Sequence, residues 1–100
     1  MAKLIWADRA VSDLERIFDF IAVDSPFYAR AQIQRIIRSA ERLQRFPDSG
    51  RILPELPHFP HRELIIGSYR FIRRYEHESD TVFVVTIVHS ARVLLETMLA

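Results

Sequence analysis

The 100-residue chain has no cysteine, which removes disulfide staples and thiolate metal or redox chemistry and fits a reducing compartment. Lysine is nearly missing as well: Lys3 stands alone among fourteen Lys and Arg residues. There are only two glycines, too few for a Gly-rich loop that would cradle phosphates. No apolar run exceeds a few residues, and Asp8 and Arg9 interrupt the first of them, so neither a signal-peptide core nor a membrane span is expected. These absences predict a cytoplasmic protein with no membrane partner. No Ser/His/Asp triad is visible, and His58 and His61, three apart in a proline-rich stretch, have no third ligand at a set spacing. No metal and no cofactor is expected.

What is present suffices for one folded domain over residues 1–100. Hydrophobic residues make up 49% and charged residues 27%, a balance that places the chain among globular proteins and away from disorder. Net charge is only +1, but from Arg30 to Arg74 ten arginines face four acids. That local excess suits an anionic partner, and guanidinium favours planar, bidentate contacts to phosphate or carboxylate.

The pattern predicts a short strand over Lys3–Trp6, then a helix from about Arg9 to Val23 capped by Asp8. Leu14, Ile17, Phe18 and Ile21 form its buried stripe, and Asp13, Glu15, Arg16 and Asp19 lie outside it. Ser25-Pro26 starts a second helix, with Ala29, Ile33, Ile36, Ile37, Ala40 and Leu43 inward and Arg30, Arg35, Arg38, Glu41, Arg42 and Arg45 outward, until Pro47 stops it. The brief connection makes the helices an antiparallel hairpin. Trp6, Phe20, Phe27 and Tyr28 are expected to pack in the core or between the helices.

Residues 47–61 hold four of the five prolines and read as an irregular crossing loop. Ile66-Gly67-Ser68-Tyr69 reads as a type II′ turn joining strands 62–66 and 69–76. Val82–Val88 is apolar on both faces and belongs at the centre of a sheet, and Arg92–Leu99 can close with a helical turn. The expected fold is α+β: an antiparallel sheet of about four strands packed on an N-terminal helical hairpin, in the order β-α-α-β-β-β.

Arg62, Arg70, Arg73 and Arg74 fall on strands, and His89 and Arg92 follow the last one. Charged heads prefer water, so this sheet is expected to present a working face. Arg70 and Arg92 lie at strand ends that approach each other. Two guanidiniums there can clamp a phosphodiester without a metal, with His89 as general acid or base. The bland alternatives are a solvated or edge-strand face for the arginines and a packed or water-bonded His89.

The order and spacing of these residues resemble a known family. Ala10, Asp13, Leu14 and Ile17, then Ser25-Pro26, Pro47, Gly50-Arg51, Pro54-Glu55-Leu56, Arg62-Glu63-Leu64, Tyr69-Arg70 and Val88-His89 together look like the RelE/ParE superfamily of bacterial type II toxins, closer to the ParE branch. The likeness spans nearly the whole chain. It implies a toxin that inhibits DNA gyrase without being an enzyme, with Arg62, Arg70, Arg73, Arg74 and Arg92 as contact residues and a cognate antitoxin whose flexible tail neutralises it. The alternative implied is a RelE-like, ribosome-dependent mRNA endoribonuclease using Arg70, Arg92 and His89. Against the latter, neither a tyrosine nor a basic cluster follows Tyr75, and Arg73 separately departs from the family at a position where an aromatic is common.

Overall fold

A computed structural model describes residues 1–99. In chain order the elements are β1 (Lys3–Trp6), α1 (Asp8–Ala22), α2 (Pro26–Arg42), β2 (Arg51–Ile52), β3 (Arg62–Ile66), β4 (Tyr69–Glu76), β5 (Thr81–His89) and a 3₁₀ turn (Glu96–Leu99). The α+β layout and the helical hairpin are as the sequence implies.

The sheet runs β1-β5-β4-β3-β2, which puts the apolar β5 between two neighbours. It differs from the expectation in two ways. The sheet is mixed, because β1 runs parallel to β5 with Lys3 opposite Thr81 and Trp6 opposite Val84, whereas the other pairings are antiparallel. Polarity across a long connection is not written in a strand's own residues. A fifth, two-residue strand, β2, also pairs with β3 inside the proline-rich stretch. Gly50 makes that approach possible: its φ is +117°, and a Cβ there would meet the Glu63 carbonyl oxygen at 2.9 Å.

Gly67, at φ +59°, supplies the left-handed first central residue of the II′ turn, and Ser68 does not share it, so the hairpin register follows the sequence reading. Ser25 caps α2 by accepting the Tyr28 N–H at 3.1 Å. Asp8 does not cap α1; Ala7 holds that position without a side-chain bond. Asp8 instead sits in the first turn, where its charge meets the positive end of the helix.

The helix faces also need correction. Asp13 is buried because it lies three residues after Ala10 and four before Ile17, squarely on the stripe. Its Oδ2 accepts from Thr86 Oγ1 at 2.5 Å and from the Ile87 N–H at 2.9 Å, while Arg16 closes an ion pair with Oδ1. Beyond Trp6 the β5 edge has no β1 partner, and this carboxylate supplies the acceptor that Ile87 would otherwise lack. In α2, Gln32 is buried and Ile37 is exposed. Of the aromatics expected inside, only Trp6 packs, edge-on to Phe71 with ring centres 6.2 Å apart. Phe20, Phe27 and Tyr28 are 77%, 75% and 63% exposed around the tip of the helical hairpin.

Two apolar clusters sandwich the sheet. On the helix side Ala10, Ile17, Ile36, Ala40 and Leu43 meet Ile66, Phe71, Val82, Val84 and Ile87. On the other side Leu53, Leu56 and Phe59 from the proline-rich stretch, with Leu94, Met98 and Leu99, cover Ile72, Val85 and Val88. Neither face is the open surface that the strand arginines suggested.

Candidate functional site

The arginines chosen from the sequence separate into two kinds. Arg70, 6% exposed, has every donor engaged. Its two terminal nitrogens reach Glu55 at 2.6 Å each; Nε and one terminal nitrogen reach Glu63 Oε1 at 2.9 and 2.5 Å; the last donor meets the Arg92 carbonyl at 3.0 Å. The other oxygen of Glu63 accepts from Arg51 at 2.7 and 2.6 Å. Glu55 also takes the Leu94 N–H at 2.8 Å.

Two arginines and two glutamates thus form one charge-balanced chain. It ties β2 and the proline-rich stretch to β3, β4 and the C-terminal segment. Buried charge is tolerated when it is paired and hydrogen-bonded in this way. The bidentate bond from Arg70 holds the Glu55 carboxyl down at about 2, against the cost of burial, and the same bond raises the Arg70 guanidinium above its ordinary value. The backbone of Arg92 does come to Arg70, but its exposed side chain is not part of the chain of bonds.

Arg73 is 3% exposed and donates through Nε to the Ser49 carbonyl at 3.0 Å. Burial, with Arg62 close by, lowers its pKa. Arg62 is half-buried and bonds the Pro60 and His61 carbonyls. Arg74 lies over the Phe83 ring at 4.5 Å and pairs loosely with Glu76 at 3.6 Å. His89 is exposed; its Nδ1 accepts the Ala91 N–H at 3.1 Å, and its ring meets Tyr69 edge-on. It makes no bond to Arg70.

His61 was legible only as half of a weak metal pair. It is instead 6% exposed, stacked at a tilt on Phe59, and neither ring nitrogen has a hydrogen-bond partner. Burial first, then Arg74 and Arg73, lower its pKa. Among the described residues no three His, Asp or Glu side chains gather as a metal site, and no helix is long and apolar enough to cross a membrane.

Two clefts share Arg92 in their walls. One, of about 320 Å³, lies between α1 and the free edge of β5, lined by Arg16, Ile17, Phe20, Tyr69, Ile87 and His89. The other, of about 280 Å³, is bounded by Arg51, Glu55, Ile65, Arg70, Ser90 and Arg92.

Comparison with known proteins agrees with this fold. The family model described as ParE toxin of type II toxin-antitoxin system, parDE, matches residues 4–94. Toxin RelE2 of Caulobacter vibrioides is 33% identical over 92 residues, covering 92% of this chain and 99% of the relative. The fold is shared with a chromosomal ParDE system from P. aeruginosa, with TM-score 0.73 and 22% identity over 89% of this chain and 96% of that one. It is shared too with the RelBE2 toxin-antitoxin complex from Mycobacterium tuberculosis, with TM-score 0.64 and 21% identity over 88% and 96%. Isolated E. coli RelE aligns with TM-score 0.62 and 15% identity over 97% and 93%. The chain belongs to the ParE toxin family of type II toxin-antitoxin systems, within the RelE/ParE superfamily.

Proposed function

We propose that the chain is a ParE-like toxin that inhibits DNA gyrase by binding it, and that a cognate antitoxin neutralises it. The observation that carries this reading is the state of Arg70. All five of its donors are spent on Glu55, Glu63 and the Arg92 carbonyl, so none is left for a scissile phosphate. His89 is turned to its own loop and stands apart from Arg70 as a general base. A binding inhibitor needs neither. Target contact is assigned to the arginines with reachable heads, Arg62, Arg74 and Arg92, while Arg70 and Arg73 hold the scaffold that presents them.

The antitoxin is assigned to the cleft between α1 and β5. Exposed Phe20 lines it, and β5 beyond Val84 has no strand partner on that side, where an added strand would compete with Asp13 for the Ile87 N–H. A second reading, the RelE-like ribonuclease, is favoured by the relative named Toxin RelE2 and by the cleft that brings Arg51 and Arg92 beside Arg70.

Inducing the chain without antitoxin in a bacterial host, while following plasmid supercoiling and labelled amino-acid incorporation over the first minutes, separates the two. Relaxed or cleaved DNA with translation at first intact is the expected result. Prompt loss of incorporation with supercoiling unchanged would replace it with the ribonuclease.

A further inference from the structure

Helix α2 carries a feature that neither the scaffold nor the cleft uses. Residues 30–45 contain five arginines, Arg30, Arg35, Arg38, Arg42 and Arg45, against the single acid Glu41. Since the whole chain is only +1, everything outside this stretch is net negative. Helical spacing turns Arg30, Arg35, Arg38 and Arg42 away from Ala29, Ile36 and Ala40, which face the protein, and Arg45 follows in the turn after the helix. All five are exposed. Among the described residues none of their guanidiniums enters an ion pair. By contrast Arg51, Arg70 and Arg74, elsewhere in the chain, each have a carboxylate partner.

We propose that this arginine stripe docks on the phosphate backbone of duplex DNA. Twelve steps of helix from Arg30 to Arg42 carry the stripe over about 18 Å, long enough to meet several phosphates in succession. Arginine's fork suits phosphate oxygens. No aromatic residue lies between Arg30 and Arg45, and exposed Tyr28 and Phe46 stand only beyond its two ends, so the stripe has no interleaved stacking platforms of the kind that hold unpaired bases. A B-form major groove about 12 Å wide admits a helix face, whereas the A-form major groove is too narrow for side chains to enter. The contact is to backbone, and it carries no sequence preference.

The inference is independent of the gyrase reading, because it concerns the purified chain and naked DNA. Fluorescence anisotropy with a labelled mixed-sequence duplex is expected to show saturable binding with Kd of about 10⁻⁵ M or tighter at about 50 mM salt. For about four phosphate contacts, log K should fall against log salt with a slope of about −3.5. Reversing Arg38→Glu and Arg42→Glu together should weaken binding more than about tenfold and flatten the slope by about two. The equal charge change Lys3→Glu with Arg9→Glu, at exposed positions on β1 and α1, should move affinity less than about threefold. Circular dichroism checks that each variant is folded, and Arg38→Gln with Arg42→Gln replaces the reversal if it is not. Absence of saturable binding, equal losses in both charge variants, or tighter binding to single-stranded DNA or duplex RNA of the same length would each overturn the proposal.

Discussion

In β4, Arg70 and Arg73 have lost almost all contact with water, while along α2 and the turn after it five arginines extend into it. The residue type is the same, and the difference lies in what surrounds it. Arg70 gave up its hydration in exchange for two carboxylates and a carbonyl, and Arg73 for the Ser49 carbonyl. Those heads therefore hold segments together. The heads on α2 and the turn after it kept their hydration, enter no ion pair among the described residues, and face solvent. An arginine on a strand is thus a poor marker of function when acids lie within reach on the same face, and an unpaired arginine row on a helix is a better one.

Substitutions can break this contrast, and the largest effect is expected at Arg70. Arg70→Met leaves Glu55 without its cation and leaves Glu63, fully buried, with only the exposed Arg51, which should cost about 3–5 kcal/mol. In a chain of this size that corresponds to a fall of at least about 12 °C in Tm, readable by calorimetry. Next comes Asp13→Ala, which leaves the buried Thr86 hydroxyl and Ile87 N–H without an acceptor. It should cost about 1–3 kcal/mol in urea unfolding.

Acid sharpens the comparison through two groups. His61 has a folded pKa below its ordinary value of about 6.5. Just under that value the unfolded chain binds the proton and the folded chain does not, so stability present at pH 7 is lost as pH falls from about 6.5. The groups facing the ring are cationic, Arg73 and Arg74, and favour the neutral form. His61→Leu gives up no hydrogen bond and should flatten the stability curve between pH 7 and 5. Glu55 acts lower: its carboxyl sits at about 2 against an ordinary 4.5, so its contribution is whole above 4.5 and drains away toward 2. The smallest effect belongs to α2, where Arg38→Ala and Arg42→Ala should each change stability by less than about 0.5 kcal/mol.

Much of the architecture was legible in the residues. Ser25-Pro26 marks the start of α2, Gly67 sets the hairpin, and the two-faced apolar run of β5 places it centrally. The parallel β1 and the short β2 were not legible, because each depends on distant segments meeting. The burial of Asp13 was present in its spacing from Ala10 and Ile17, but charge outweighed phase in the reading.

The role of Arg70 could have been read from register. The II′ turn pairs Ile65 with Arg70 and Glu63 with Ile72, which makes Glu63 and Arg70 diagonal neighbours on one sheet face. What no local pattern could supply is Glu55, brought in across the loop. Nor could it show that both sheet faces are covered, since that follows from where residues 53–59 and 94–99 settle.

Equilibrium urea unfolding of Arg70→Met beside the unsubstituted chain tests most directly whether the sheet arginine is a clamp. The account predicts a loss of at least about 3 kcal/mol. A variant as stable as the original would contradict it and return Arg70 to the residues that act on a target.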